Sequence, residues 1–182
     1  LCALAMTQGE LVLKHVHPAS MQMVLDKLIE AGMSIQADEK TITASMRERT
    51  KPVDIRTLPY PGFPTDMQAQ FVSMNAVAQG NSRVIENIFE NRFMHVPELT
   101  RMGAAIEIQG NVALIDGVER LSGATVMATD LRASASLVIA GLVAEDETTI
   151  EQISHLDRGY QKIEEKLGKI GAKICLLYTS DA

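Results

Sequence analysis

Apolar residues recur at helical spacing between Pro64 and Gly80. The apolar positions, spaced i, i+4, i+7 and i+11, are Met67, Phe71, Met74 and Ala78. Pro64 and Thr65 interrupt the preceding segment, and Thr65 followed three residues later by Gln68 fits a capping box. The pattern therefore predicts an amphipathic helix that begins near Thr65 and ends near Gly80.

Asp66 falls in the first turn of this helix, where free backbone N–H groups and the helix dipole favour a negative charge. A purely structural role for Asp66 is therefore one interpretation. The chain contains a second copy of this element, because Thr129-Asp130-Leu131 repeats Thr65-Asp66-Met67 sixty-four positions later. The same apolar stripe follows this copy, at Leu131, Ala135, Val138 and Leu142. Two Thr-Asp helix starts with matching faces indicate an internal repeat.

A second motif supports the repeat. Predicted helices end in Leu-x-x-x-Gly three times, at spacings of about seventy residues, with the leucines and glycines at Leu28 and Gly32, Leu99 and Gly103, and Leu167 and Gly171. Predicted strands follow each glycine, and the Thr-Asp helices alternate with these units. The sequence thus predicts an α/β fold of repeated βαβαββ units, about two and a half of them, with mixed, partly parallel sheets covered by helices.

Composition and net charge exclude some classes of function for this chain. The chain has 182 residues, 46% of them apolar, and a formal net charge of −6, which is typical of a globular domain and argues against general nucleic-acid binding. No apolar run is long enough to predict a membrane span. Cys2 and Cys175 stand at opposite ends with no metal or disulfide motif around them, which fits a reducing cytoplasm. The first residue is Leu1, and the opening segment resembles the last turns of a helix, so we expect an N-terminal part to be missing.

Arginines on the predicted connections are the candidate chemistry. Arg92 and Arg158 occupy corresponding points of the repeat, and Arg132 lies in the first turn after Asp130. A cation there opposes the helix dipole, so we expect Arg132 to meet an anion. Guanidinium groups on connections suit an anionic substrate, although pairing with nearby acids such as Glu90 or Asp157 is the alternative. The basic run Arg47, Arg49 and Lys51 is interpreted as a solvated loop, and His95 and His155 as structural residues.

Four longer motifs resemble the UDP-N-acetylglucosamine enolpyruvyltransferase (1-carboxyvinyltransferase) family. They are the segments 63–71 (FPTDMQAQF), 89–99 (FENRFMHVPEL), 128–133 (ATDLRA) and 155–160 (HLDRGY). The resemblance runs from about Gly9 to Ile174. It implies transfer of the enolpyruvyl group of phosphoenolpyruvate to the 3′-hydroxyl of UDP-N-acetylglucosamine with release of phosphate, the first committed step of bacterial peptidoglycan synthesis.

The family fold is an inside-out α/β barrel in each of two domains, each made of three βαβαββ units, with the substrates in the cleft between them. By this resemblance, residues 1–174 are most of the C-terminal domain, and the partners are UDP-N-acetylglucosamine, phosphoenolpyruvate and the missing N-terminal domain, with no nucleic acid or membrane. The enzyme is expected to be cytoplasmic and to use no cofactor or metal. Residues 175–182 depart from the family pattern and are interpreted as a foreign or disordered tail.

The resemblance also implies roles for individual residues. Asp66 matches the carboxylate that contacts the sugar hydroxyl and takes its proton, and Ile88 matches a backbone contact to the UDP-sugar. Arg158 matches the arginine that reaches phosphoenolpyruvate when the domains close, and Arg92 and Arg132 match other arginines of the cleft.

The family's reactive cysteine belongs to segments before Leu1, and neither Cys2 nor Cys175 matches it, so the fragment alone is expected to be inactive. Two alternatives remain open: the related enolpyruvyltransferase of the shikimate pathway, and a non-catalytic UDP-sugar sensor on the same fold.

Overall fold

A computed structural model describes residues 1–178 of the chain. The α-helices are α1 (Cys2–Thr7), α2 (Gln22–Glu30), α3 (Gln68–Ala76), α4 (Val96–Arg101), α5 (Leu131–Gly141), α6 (Ser154–Gly159) and α7 (Ile163–Lys169). The strands are β1 (Gly9–Lys14), β2 (Ser34–Ala37), β3 (Thr41–Met46), β4 (Ile55–Arg56), β5 (Asn81–Ile85), β6 (Ala105–Gln109), β7 (Val112–Asp116), β8 (Leu121–Ser122), β9 (Thr125–Met127), β10 (Ala144–Glu145) and β11 (Thr149–Glu151). Short 3₁₀ turns, Pro18–Met21 and Thr65–Met67, lead into α2 and α3.

The middle of the chain contains one complete βαβαββ unit. Its order is β4, α3, β5, α4, β6 and β7, and its four strands form one sheet in the order β4-β5-β7-β6. The pair β4 and β5 is parallel because α3 crosses between them, whereas β7 is antiparallel to both of its neighbours. This confirms the predicted mixed α/β class and its partly parallel sheets.

Incomplete units flank the complete one. The unit before it consists of α1, β1, α2, β2 and β3. Its three strands form an antiparallel sheet in the order β1-β3-β2. After it, α5 joins two short parallel pairs, β8 with β10 and β9 with β11. Helix α1 therefore holds the same place in the first unit as α3 and α5 hold in theirs.

The Leu-x-x-x-Gly motif ends a helix in the same way in all three units. The amide after each glycine donates to the carbonyl of the motif leucine at 3.0 Å, from Met33 to Leu28, from Ala104 to Leu99 and from Ala172 to Leu167. Each glycine adopts a left-handed φ, between 93° and 104°. This is the Schellman closure of a helix, and it needs glycine because a Cβ strains that conformation.

Three inner helices, α1, α3 and α5, pack against one another beneath the sheets. Every residue of α3 is buried, and so are the residues of α5 from Ala133 to Ala140. The sequence predicted a helix with a single apolar stripe that ends near Gly80, whereas α3 ends at Ala76. The stripe residues Phe71 and Met74 in α3, and Ala78 just after it, are inaccessible to solvent. The pattern understated the burial, because the opposite face of α3 also meets protein. There the Ser73 hydroxyl donates to the Ser136 carbonyl of α5 at 3.0 Å.

The C-terminal part of the chain differs from prediction in two places. The segment from Leu156 to Gly159, expected to be a connection, belongs to helix α6. The sequence before Gly171 predicts a helix from Tyr160 to Ile170, but this helix begins only at Ile163, because Lys162 before it has a left-handed φ of 50°. Residues 172–178 form no helix or strand, and residues 179–182 of the predicted tail lie outside the described part of the chain.

No helix within residues 1–178 combines the length and the hydrophobicity that crossing a bilayer requires.

Arg49 closes the C-terminal end of α3. Its Nε donates to the Val77 carbonyl at 2.7 Å, and its Nη2 donates to the carbonyls of Ala78 and Val118 at 3.0 and 2.6 Å. A cation is favoured at this end of the helix dipole. The prediction of a solvated basic loop holds for the exposed Arg47 and Lys51 but is wrong for the half-buried Arg49.

Replacement of Arg49 is expected to destabilise the fold. Arg49→Met leaves three carbonyl oxygens without their charged donor, so we expect the free energy of unfolding to fall by about 2–3 kcal/mol. Urea unfolding followed by circular dichroism measures this loss. Arg47→Met is the matched control, because the Arg47 side chain is 82% exposed and its loss should cost under about 0.5 kcal/mol. Equal losses in the two variants would contradict the helix-closing role.

Candidate active site

Asp66 lies in the 3₁₀ turn that precedes α3, and its side chain is 63% exposed. The predicted capping box is wrong: no side chain among residues 1–178 caps this turn, and the Thr65 hydroxyl instead donates to Glu86 Oε2 at 2.9 Å. Asp66 is therefore not occupied in capping the helix. A carboxylate at this exposed point is available to other groups.

Two arginines surround the Asp66 carboxylate. Arg132 Nε and Nη2 lie 2.8 and 2.6 Å from Asp66 Oδ1, and Arg92 Nη2 lies 3.6 Å from the same oxygen. The expectation that Arg132 meets an anion is thus confirmed, across two units of the repeat. Asp66 Oδ2 accepts no hydrogen bond from the described part of the chain. We refer to Asp66, Arg92 and Arg132 as the Asp66 cluster.

The two Thr-Asp copies have different roles. Asp130 is the N-cap of α5, and its Oδ1 accepts the N–H groups of Arg132 and Ala133 at 2.8 and 3.1 Å. Asp66 makes no such bonds. Asp130 therefore fixes the backbone from which the Arg132 side chain reaches Asp66. Stabilising a helix start, the purely structural role considered for Asp66, is the role of Asp130.

Arg92 is held on several sides, and its side chain is only 18% exposed. Its Nη1 donates to the Thr65 hydroxyl oxygen at 3.0 Å, and its guanidinium carbon lies 4.5 Å from the centre of the Phe89 ring, an attractive cation–π geometry. Glu90, considered from the sequence as its partner, makes no ion pair with it. Arg92 therefore faces Asp66 with a fixed orientation.

Ile88 lies in the loop after β5, and its N–H donates to Glu86 Oε1 at 2.8 Å. Glu86 is a component of the site that the sequence reading missed. Its side chain is buried at 3% exposure, and Glu86, directly after β5, continues the inward alternation of Ser82 and Val84. A glutamate that continues the inward positions of a predicted strand is the signal that could have identified it.

Arg158 is not part of the Asp66 cluster. It is exposed in the last turn of α6, where the sequence predicted a connection, and it makes no ion pair within residues 1–178. Its neighbour Gly159 lies so close to Leu131 that a Cβ there would overlap the Leu131 side chain. Gln70 Nε2 also donates to the Tyr160 hydroxyl at 3.3 Å. The α6 segment is thereby held beside the start of α5, which carries Arg132.

A surface groove of about 820 Å³ adjoins the cluster on the Arg92 side. Its lining includes Phe89, Arg92, Met94, Ile108 and Asn111. The Phe89 and Met94 side chains are more than half exposed. Within residues 1–178, no three His, Cys, Asp or Glu side chains are arranged to hold a metal ion.

His95 is buried beneath this region, with 1% exposure and with no hydrogen-bond partner for Nε2 among the described residues. Burial lowers the pKa of His95 to about 4, against an opposing attraction from Asp130. The native state therefore binds fewer protons than the unfolded state between about pH 6.5 and pH 4. Stability contributed by the neutral form is full above pH 6.5 and is lost as the pH falls through this window.

Removal of His95 should reduce this pH dependence. Between pH 7 and pH 5 we expect the free energy of unfolding of the wild type to fall by about 2 kcal/mol more than that of His95→Leu. Urea titrations at pH 7, 6 and 5 measure both slopes. The exposed His17 supplies the control, and His17→Leu should keep the wild-type slope. The interpretation fails if His95→Leu also keeps that slope.

The comparison with known sequences decides the family. Residues 1–167 match the family described as EPSP synthase (3-phosphoshikimate 1-carboxyvinyltransferase). The chain belongs to the EPSP synthase family. This family match takes in all three members of the Asp66 cluster, together with Ile88 and Arg158.

Solved structures agree with this assignment to the EPSP synthase family. The enolpyruvyl transferase NikO from Streptomyces tendae is 26% identical with a TM-score of 0.82, and the match covers 94% of this chain and 41% of NikO. An EPSP synthase from Acinetobacter baumannii is 17% identical with a TM-score of 0.61, over 80% of this chain and 36% of that one. The latter likeness shows the fold alone. The chain thus has the enolpyruvyl transferase fold and spans about two fifths of the length of these proteins.

Proposed function

We propose that this chain supplies part of the active site of an enzyme that transfers the enolpyruvyl group of phosphoenolpyruvate to the 3′-hydroxyl of UDP-N-acetylglucosamine and releases phosphate. The observation that carries the proposal is the Asp66 cluster, an exposed carboxylate held by one arginine and approached by a second. The four motifs that resemble the UDP-N-acetylglucosamine enolpyruvyltransferases support the choice of acceptor.

The cluster is better explained by ligand binding than by stability. Exposed ion pairs contribute only about 0–1 kcal/mol to folding, and Asp66 and Arg132 are 63% and 37% exposed. Two cations face one anion, so the cluster keeps a net positive charge in a chain with a net charge of −6. Such a local excess attracts phosphate and carboxylate groups, which guanidinium binds in two parallel hydrogen bonds.

In the proposed reaction Asp66 receives the proton of the attacking hydroxyl. Its Oδ2 accepts no bond from residues 1–178, so a substrate hydroxyl can donate to it and give up the proton. The hydroxyl oxygen then forms a bond to C2 of the enolpyruvyl group while C3 accepts a proton, which makes C2 tetrahedral. Loss of a proton from C3 and cleavage of the bond from C2 to the phosphate oxygen then restore the double bond and release phosphate. Arg92 and Arg132 stabilise the negative charge of the carboxylate and phosphate during this exchange. Ile88 contacts the UDP-sugar through its backbone.

The complete site needs a second domain. We propose that residues 1–174 are most of one domain, and that an N-terminal domain supplies the remaining phosphoenolpyruvate contacts and the reactive cysteine. Arg158 is exposed at the edge of the α5 and α6 pair, so closure of the partner domain would bring phosphoenolpyruvate to it and exclude water. We place this enzyme in the cytoplasm, in bacterial cell-wall synthesis.

A second candidate differs in the acceptor. The matching family is named for 3-phosphoshikimate 1-carboxyvinyl transfer, so 3-phosphoshikimate is the competing acceptor. Both reactions release phosphate from phosphoenolpyruvate, and the same arginines would serve either. The acceptor alone separates the two candidates.

A phosphate-release assay tests the proposal. The chain is joined to the N-terminal half of a UDP-N-acetylglucosamine enolpyruvyltransferase and supplied with phosphoenolpyruvate and one acceptor at a time. We expect release with UDP-N-acetylglucosamine, none with 3-phosphoshikimate, and none from the 182-residue chain alone. Release with 3-phosphoshikimate only would establish the competing acceptor. A folded joined protein that binds UDP-N-acetylglucosamine but releases no phosphate would instead be a sugar-nucleotide sensor.

A further inference from the structure

Glu86 is a buried carboxylate, and every hydrogen bond that its side chain accepts from residues 1–178 comes from a neutral donor. Its Oε1 accepts the Thr57 hydroxyl at 2.8 Å and the N–H groups of Ile88 and Phe89 at 2.8 and 3.2 Å. Its Oε2 accepts the Thr65 hydroxyl at 2.9 Å. Burying a charge without a cation beside it is unfavourable, and hydrogen bonds offset that only in part. A glutamine would fill the same space, but its amide has a single acceptor oxygen.

The two oxygens of Glu86 hold two different segments of the site. Through Oε1 the carboxylate fixes the backbone of the loop that contains Ile88, which we propose as a contact to the UDP-sugar. Through Oε2 it reaches Thr65, the residue before Asp66. One side chain therefore sets the distance between the Ile88 loop and the Asp66 turn.

The bond to Oε2 also orients Arg92. A threonine hydroxyl has one proton, and Thr65 gives it to Glu86, so the Thr65 oxygen must act as an acceptor toward Arg92 Nη1 at 3.0 Å. Held in this way, Arg92 Nη2 stays 3.6 Å from Asp66 Oδ1, whereas Arg132 lies 2.6 Å from it. Arg92 thus does not close onto Asp66 and keeps donors for an anionic substrate.

We propose that Glu86 is a positioning residue of this site, which aligns the Ile88 loop and, through the Thr65 hydroxyl, Arg92 and the Asp66 turn. The kinetic effect expected from this proposal rests on the proposed function. Glu86 itself contacts none of the reacting atoms and acts through the groups that it positions. It predicts that Oε2 and the Thr65 hydroxyl matter for catalysis although neither touches substrate.

Three substitutions isolate the link. Thr65→Val keeps the shape of the side chain and removes the hydroxyl, Thr65→Ser restores the hydroxyl, and Glu86→Gln keeps one acceptor oxygen for the Ile88 loop. Ser73→Ala is the matched control, because the Ser73 hydroxyl makes a buried hydrogen bond of 3.0 Å to Ser136 between α3 and α5. This control loses a comparable bond at a place remote from the cluster.

Kinetics of the joined enzyme provide the first readout. We expect kcat/KM for phosphoenolpyruvate to fall by roughly tenfold or more in Thr65→Val and Glu86→Gln, because misplacement of a binding group by a fraction of an ångström is costly. Thr65→Ser and Ser73→Ala should stay within about threefold of the wild type. If Thr65→Val and Glu86→Gln also stay within that range, Glu86 only fills a buried position and the proposal is wrong.

A second readout does not depend on activity. In the 15N-labelled 182-residue chain, relaxation of the Arg92 Nε–H group reports how firmly the guanidinium is held. We expect a rigid group in the wild type, Thr65→Ser and Ser73→Ala, and a mobile one in Thr65→Val and Glu86→Gln. An Arg92 that stays rigid in the last two variants would overturn the positioning role. A joined enzyme inactive with both acceptors, combined with the expected mobility, would refute the proposed function and leave the positioning role standing.

Discussion

Asp66→Ala in the joined enzyme is expected to lower kcat by a factor of roughly 10²–10⁴, the range that a lost general base produces. Asp66 is the one carboxylate of the cluster, and its Oδ2 accepts no bond from residues 1–178. Turnover of UDP-N-acetylglucosamine with phosphoenolpyruvate, followed by phosphate release, measures the effect. Asp66→Asn should lose nearly as much, because its amide can still bond a hydroxyl but cannot take its proton.

The stability of the Asp66 variants should hardly change. The side chain is 63% exposed and caps no helix, so we expect the free energy of unfolding to stay within about 1 kcal/mol of the wild type. Asp130→Ala should instead lose about 1 kcal/mol, since it removes a helix N-cap. Urea unfolding of the wild type, the two Asp66 variants and Asp130→Ala separates the roles of the two Thr-Asp copies.

Asp54→Ala is the matched control for the activity loss. Asp54 is also an aspartate paired with an arginine, at 3.0 Å from Arg83, and its side chain is 54% exposed. It lies outside the Asp66 cluster, so kcat should be unchanged. If Asp66→Ala and Asp54→Ala both retain turnover within a few-fold, Asp66 is only the charge partner of Arg132 and takes no proton.

Phe71→Ala is expected to have the largest effect on stability. Phe71 is fully buried in α3, and its ring packs edge-on against Phe63 with the ring centres 4.9 Å apart. Its truncation loses the transfer free energy of the ring and leaves a cavity between the inner helix and the sheet, which together cost about 3–5 kcal/mol. Thermal and urea unfolding monitored by circular dichroism measure this loss.

The same truncation at an exposed position serves as the control. The Phe89 side chain is 55% exposed, and its main interaction is the contact with Arg92, worth about 0.5–1 kcal/mol. Phe89→Ala should therefore cost no more than about 1 kcal/mol. Comparable losses at Phe71 and Phe89 would mean that the core is not centred on α3.

The repeat was predictable because its signals are local. Leu28, Leu99 and Leu167 each stand four residues before a glycine, and this spacing reflects a helix closure that forms within a few residues of chain. The Thr-Asp starts and their apolar stripes likewise depend on short-range geometry. The burial of both faces of α3 could not be predicted in this way, since it depends on α1 and α5 packing from distant parts of the chain.

The site was predictable only in part, for a similar reason. The resemblance pointed to Asp66, Arg92 and Arg132, and the structure brings these three together. The capping box was wrong because Thr65 bonds Glu86, twenty-one residues away, and a long-range acceptor leaves no trace in local spacing. Arg158 lies in helix α6, where the sequence predicted a connection. The helix has only six residues, which is too short for apolar periodicity to distinguish it from a connection.

The contact between Asp66 and Arg132 joins adjacent units of the repeat. Asp66 precedes the inner helix of one unit, and Arg132 begins the inner helix of the next. A polypeptide containing a single unit could therefore form this pair only between two copies of itself. If the repeat arose by duplication, a symmetric assembly of identical chains would have presented this pair at every junction. In this chain the two Thr-Asp copies differ, because Asp130 caps α5 whereas Asp66 is an exposed carboxylate.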